Sequence, residues 1–229
     1  MTITLYELLG ADDRRFSPFC WRTRMALAHK ELDPEIVPCR FSEKHRFAFA
    51  GYDRMPVIAD GDRVVTDSWD IAVYLDHAYP DRPTLFGGAI GRAEARFFNE
   101  WAPTLQGPIL RMILKDIHDH LDPGEQPYFR ESREKRFGGT LEQFHAGRES
   151  ARPAFDAACD QLRAVLAHQP FFGGDSPAYA DYIFFGGFQF ARCMSPLRLL
   201  EPGDALYDWR GRLLDMYGGM ARNAPGYPA

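Results

Sequence analysis

Three short segments of this chain carry residue types suited to holding an anion or activating a nucleophile: Ser17-Pro18-Phe19-Cys20, Met55-Pro56 and Asp67-Ser68. Ser17 followed by Pro18 reads as a helix start. Serine caps free N–H groups, and proline at the first helical position gives up only an N–H that has no partner there. A helix N-terminus carries roughly half a positive charge. A hydroxyl at that point is open to two readings. It caps the helix and does nothing else, or it also donates a hydrogen bond to an anionic ligand group held there. A ligand thiol in that place would have its pKa lowered by about one to two, which supplies more thiolate at neutral pH. Cys20, one turn along, reads first as a small buried thiol. Its other reading is a thiol that forms a mixed disulfide with the ligand.

Asp67-Ser68 opens a later helix, and as a capping pair it needs no ligand. The same residues can also bind one. The Ser68 hydroxyl and the first free N–H groups suit a carboxylate, and Asp67 beside them suits an ammonium. Carboxylate and ammonium on one carbon make an α-amino acid head, such as a γ-glutamyl group. Lys44 or Arg40 is available for a carboxylate at the opposite end, with a solvated side chain as the plainer reading of each. Met55-Pro56 precedes a strand-like run, so the Met55 backbone N–H and C=O are placed to pair with an extended peptide. Only about 5–6% of X-Pro bonds are cis, so sequence leaves that isomer open.

The elements that must position these residues follow from hydrophobic spacing. The run 3–9 alternates like a strand. Residues 18–30 read as a helix with Trp21, Met25 and Ala28 on one face. A second strand is expected over 35–39 and a weaker helix over 42–50, ended by Gly51. Residues 56–59 and 64–66 form a hairpin about Asp60-Gly61-Asp62. A helix with Ile71, Tyr74, Leu75 and Ala78 on one face ends at Tyr79-Pro80. The order β-α-β-α-β-β-α over residues 1–80 resembles a thioredoxin-like domain. Residues 81–91 read as a linker. Residues 92–229 read as an all-helical bundle. Within it Phe97, Trp101, Leu105, Ile109, Met112 and Ile113 make a stripe that Pro103 and Pro108 should kink or break. The stretch 131–166 is expected to be mostly helical, interrupted at Gly138-Gly139. An apolar helix over 179–194 takes the centre of the bundle, and the last helix runs over 205–217.

Bulk properties narrow the function classes. The chain has 229 residues, 45% of them apolar, and a net charge of −5. That describes a globular protein with no long basic run for nucleic acid. Charge is uneven: residues 14–54 hold nine Lys/Arg against five Asp/Glu, which favours a small anionic ligand. Four cysteines at 20, 39, 159 and 193 show no C-x-x-C pair and read as free thiols of a reducing cytoplasm. No apolar stretch approaches the roughly 18–20 residues of a membrane span, and the N-terminus lacks a charged-then-apolar leader pattern. The seven histidines form no metal-ligand set.

The Ser-Pro-Phe-Cys turn has the outline of the C-P-F-C turn of glutaredoxins, with Ser17 where the first cysteine would stand. A hydroxyl there cannot exchange disulfides but can serve a thiolate brought by a ligand. Taken together, 17–22, Met55-Pro56-Val57-Ile58, Asp67-Ser68 and Ile71-Ala72-Val73-Tyr74-Leu75-Asp76 resemble the cytosolic glutathione transferases over essentially the whole chain. With Arg133-Glu134-Lys135-Arg136-Phe137-Gly138 added, they are similar to the bacterial β-etherase-like and fungal etherase-like group. One departure is Ala178 where the family's capping segment before Asp181 has serine or threonine.

The resemblance implies a thioredoxin-like domain that binds glutathione, a helical domain that holds an apolar, aromatic co-substrate, and a homodimer without metal. By position, Ser17 would stabilise the glutathione thiolate. Met55, with Pro56, would pair with the cysteinyl backbone. Asp67 and Ser68 would hold the γ-glutamyl head, and Lys44 the glycine carboxylate. Phe19 and Cys20 would border the sulfur. The implied activity is thiolate attack on an aromatic electrophile, in the etherase version with cleavage of a β-aryl ether. The other readings are a non-catalytic binder of glutathione and aromatic ligands, or a thiol reductase using Cys20.

Overall fold

The computed structural model describes residues 2–228. Strand β1 (Thr4–Leu8) lies inside a four-stranded sheet of order β2-β1-β3-β4. β2 (Glu35–Cys39) runs parallel to β1, from Thr4 opposite Glu35 to Leu8 opposite Cys39. A parallel pair needs a crossover, and helix α1 (Pro18–His29) supplies it. β3 (Val57–Asp60) runs antiparallel to β1, with Thr4 opposite Ala59 and Tyr6 opposite Val57. β4 (Arg63–Thr66) closes the expected hairpin, and helix α2 (Ser68–Ala78) follows it.

One expected element is different. The stretch 42–50 is not an α-helix but a 3-10 helix, Lys44–Ala50, broken at Phe47. Phe47 is its one buried residue, so it lacks the apolar stripe that would hold a regular helix against a core. Ser42 stays outside it and donates its hydroxyl to Glu125 Oε1 at 2.5 Å. The observed order is therefore β-α-β-(3-10)-β-β-α, a thioredoxin-like domain with two α-helices. A helical domain follows.

That domain comprises α3 (Ala89–Trp101), α4 (Pro103–Asp119), α5 (Gln126–Phe137), α6 (Leu141–Ala146), α7 (Arg152–Leu166), α8 (Tyr179–Met194) and α9 (Ala205–Asn223). Pro103 separates α3 from α4 as expected, whereas Pro108 sits inside α4 without ending it. The first three residues of α3 occupy the end of the segment read as linker. Gly138 ends α5 in the left-handed region at φ 73, where a side chain would be strained. Backbone angles leave the helical region from Met216 to Gly219, close to the expected end of α9.

Every residue of α8 is buried, and the core is continuous from Leu5 in the sheet to Trp209 and Leu214 in α9. The start of α8 is fixed by Asp181. Its carboxylate accepts from the backbone N–H groups of Phe172 at 2.8 Å, Gly173 at 3.0 Å and Ala178 at 2.9 Å, and from Trp209 Nε1 at 2.8 Å. Ala178 has no side-chain oxygen to return the favour, so one half of a capping box is made and the other is absent.

Two contacts bind the domains where α1 begins. The Cα of Gly186 in α8 comes so near α1 that an added Cβ would lie 2.3 Å from the Pro18 carbonyl oxygen. Arg22, buried in α1, donates from Nη1 to Asn99 Oδ1 in α3 at 2.8 Å.

Candidate active site

Strand register brings the candidate residues to one end of the sheet. Leu8 and Cys39 end two parallel strands side by side, so Ser17 and Lys44 both follow from that edge. Val57 starts β3 opposite Tyr6, and Thr66 ends β4 opposite Val57. Met55-Pro56 and Asp67-Ser68 therefore lie at the same edge.

Ser17 is the N-cap of α1 and accepts a hydrogen bond from the Cys20 backbone N–H at 3.2 Å. Capping uses a lone pair of the hydroxyl and leaves its O–H for donation. Ser17 is recessed at 6% exposure, while the Phe19 ring beside it is 42% exposed with the Arg22 guanidinium 4.8 Å over it. Cys20 is 2% exposed. Burial, reinforced by the Glu7 carboxylate, pushes its thiol up to about 12 against the weaker pull of the Ser17 hydroxyl and the Leu8 backbone. Such a thiol is protonated at neutral pH, and disulfide exchange needs a thiolate.

The Met55–Pro56 peptide bond is cis. Among the described residues, neither the N–H nor the C=O of Met55 enters a backbone hydrogen bond, so both are available to an extended ligand. Asp67 caps α2 by accepting from Trp69 N–H at 2.8 Å, and it does so at φ 66, ψ 137. That conformation costs a non-glycine residue about 1–3 kcal/mol and is held only where its surroundings insist. Tyr179 at the start of α8, itself buried, donates its phenol to the Ser68 carbonyl at 2.6 Å, with the Ser68 hydroxyl also within its reach. A side chain of the second domain thus sets where the first turn of α2 sits.

The two cations considered for the far carboxylate separate clearly. Arg40 is engaged, donating from Nε to Asp122 Oδ2 at 2.5 Å with Glu43 3.8 Å away. Lys44 is exposed, 3.6 Å from Asp53, and lines a cavity of about 460 Å³ with His45, Ala48, Gly51, Tyr52 and Asp53. Among the described residues no group of three His, Cys, Asp or Glu side chains could hold a metal.

Sequence reasoning missed Tyr179, Arg22 and Gly186. Tyr179 and Arg22 carried no signal, being one more aromatic in an apolar helix and one more cation in a basic segment. Gly186-Gly187 did carry one. Two glycines inside a helix cost about 1 kcal/mol each relative to alanine, which marks a close backbone approach. Tyr179→Phe removes only the phenol oxygen. It is expected to cost about 0.5–1.5 kcal/mol of folding stability, one neutral hydrogen bond's worth. Denaturant unfolding reads the loss, and unchanged stability would mean that the phenol does not hold the first turn of α2.

A thioredoxin-like domain with a mixed four-stranded sheet, followed by a helical domain packed against it, is the glutathione transferase architecture. Comparison with known proteins agrees. The glutathione S-transferase N-terminal domain model matches residues 16–78 and the C-terminal domain model residues 93–198. A probable glutathione transferase of Aplysia californica is 30% identical over 86 residues, 37% of this chain and 94% of that one. A zeta-class glutathione S-transferase of Euphorbia esula is 31% identical over 142 residues, 56% of this chain and 61% of the relative, so the match spans under two thirds of that protein's length. A glutathione S-transferase of Ceriporiopsis subvermispora, solved in complex with glutathione, superposes with a TM-score of 0.81 at 24% identity, covering 98% of this chain and 99% of that one. The chain belongs to the glutathione S-transferase family.

Proposed function

We propose that the protein is a glutathione transferase in which Ser17 holds glutathione as its thiolate for attack on an apolar, aromatic electrophile. The observation that carries this reading is the hydroxyl of Ser17 at the N-terminus of α1, at the sheet edge where unpaired Met55 backbone groups and the Asp67-Ser68 corner also lie. Glutathione lies along that edge. Its γ-glutamyl head meets Asp67 and Ser68, its cysteinyl backbone pairs with Met55 beside Pro56, and its glycine carboxylate meets Lys44. Phe19 borders the sulfur. The thiolate sulfur forms a bond to an electrophilic carbon as the carbon–leaving-group bond breaks, and the leaving group departs with the electron pair. In the etherase version that carbon is next to a ketone and the leaving group is an aryloxide, protonated by solvent. Catalysis comes from proximity and from charge placed before the reaction.

The burial of Cys20 argues against the thiol-reductase alternative. A homodimer is part of the proposal: α3 leaves Ile90 78% and Phe97 65% exposed, an apolar face that a second copy would cover. So is a cytoplasmic setting, in keeping with four free thiols. No helix among the described residues is long and apolar enough to cross a membrane. The test is glutathione-dependent turnover of an activated aryl halide and of a phenacyl aryl ether. Conjugation of either is the expected result. Tight binding of glutathione and of aromatic ligands without conjugation would favour the non-catalytic carrier instead.

A further inference from the structure

We infer that Arg133 gives the co-substrate pocket a preference for aromatic molecules that carry a carboxylate at the end remote from the reacting carbon. The inference rests on the glutathione transferase reading and names the substrate class for it. Arg133 lies on α5, half-buried, with its guanidinium 4.7 Å over the Phe129 ring and 5.7 Å over the Phe41 ring. Nη1 donates to Ser132 Oγ at 2.9 Å, and the Tyr128 phenol lies alongside. Among the described residues no carboxylate comes within ion-pair distance of it. Arg130, one turn earlier on the same helix, shows the contrast: Glu134 holds it at 2.8 Å and Glu142 at 2.9 Å. Arg136 adds repulsion from the other side. A half-buried guanidinium without a counter-ion is partly desolvated, and an incoming anion offsets that cost.

The aromatic neighbours connect this cation to the nucleophile's position. Phe16, immediately before Ser17, faces Phe41 with ring centres 6.1 Å apart, and Phe41 faces Phe129 at 6.3 Å and Tyr128 at 5.9 Å. The run starts buried at Phe16 and reaches solvent at Tyr128, which is 50% exposed. Phe41 is held in place across the domain boundary. Arg40 before it is tied to Asp122, and Ser42 after it to Glu125. A flat, apolar body against the accessible Phe41 and Tyr128 rings, with an anionic tip on Arg133, uses both properties of a guanidinium, stacking on aromatic faces and forked hydrogen bonding to a carboxylate.

The probes are para-phenacyloxybenzoate and its methyl ester, which share a skeleton and differ in one charge. They are titrated into the full-length protein saturated with S-methylglutathione, which occupies the glutathione position without a thiol to react. The acid is expected to bind about ten- to a hundredfold more tightly than the ester, the worth of a hydrogen bond to a charged group. Arg133→Met abolishes that difference while leaving the Kd for S-methylglutathione unchanged, and Arg133→Lys retains part of it. Equal binding of acid and ester to the unaltered protein, binding of neither, or a preference that survives in Arg133→Met would overturn the inference. Failure of S-methylglutathione itself to bind would instead overturn the glutathione reading. Unchanged melting of both variants, read by circular dichroism, excludes loss of fold as the cause.

Discussion

Replacing Ser17 by alanine is expected to lower kcat about ten- to a hundredfold, because the proposed hydrogen bond to a charged thiolate contributes about 1.5–3 kcal/mol. The Kd for glutathione is expected to change little, since the proposed binding contacts are those of Met55, Asp67, Ser68 and Lys44. The substitution also removes the cap on the Cys20 N–H, which costs about 1 kcal/mol of stability and a few degrees of melting temperature. Those two effects are separable. Ser17→Thr keeps a hydroxyl and a cap and should keep most of the activity, whereas Ser17→Gly keeps most of the capping energy and loses the donor. The pH–rate profile adds a third readout: without the donor the thiolate is less favoured, so the ascending limb of kcat/KM moves to higher pH. Turnover in Ser17→Ala equal to that of the unaltered enzyme would remove Ser17 from the mechanism.

Asp181→Ala is expected to cost at least about 4 kcal/mol of folding stability. The carboxylate accepts from three backbone N–H groups and from the Trp209 indole in a fully buried position. Each donor left without an acceptor costs about 1–3 kcal/mol, and together they rival the about 5–15 kcal/mol that keeps a typical domain folded. The damage reaches the active site by a short route. Asp181 fixes the start of α8, Tyr179 in the same turn holds the Ser68 carbonyl, and Gly186 two turns on backs against Pro18. Denaturant unfolding with Asp181→Asn beside Asp181→Ala measures the loss, with Asn intermediate because it keeps one acceptor oxygen. A loss below about 1 kcal/mol would show that the carboxylate is not the anchor of this helix.

Much of this was legible in the chain because the signals are local. Ser17-Pro18 states a helix start in two residues, Asp60-Gly61-Asp62 states a hairpin in three, and Asp67-Ser68 caps α2 in the structure as its residue types require. The apolar run from Tyr179 to Met194 is the buried centre of the second domain, as its composition demands. What escaped is long-range. Arg40 was as good a candidate as Lys44 for an external carboxylate until Asp122, 82 residues further on, was seen to hold it. Only the folded chain shows that. Residues 42–50 had enough helix-forming types to suggest a helix, but a single buried anchor at Phe47 leaves too little packing to enforce one. Pro108 follows the same logic in reverse: Leu105, Ile109 and Met112 are buried on one face of α4, and that packing carries the helix past the residue expected to kink or break it.

The proposed role of Ser17 is electrostatic, so the acidity of glutathione's thiol in the complex reads it most directly. Ultraviolet absorbance of the thiolate, followed as pH is raised with the protein saturated in glutathione, gives that pKa. A value lowered by about one to two from the ~8.5 of a free thiol is expected, rising back toward it in Ser17→Ala. A bound thiol that titrates like the free one, or a protein that takes up no glutathione, would contradict that role.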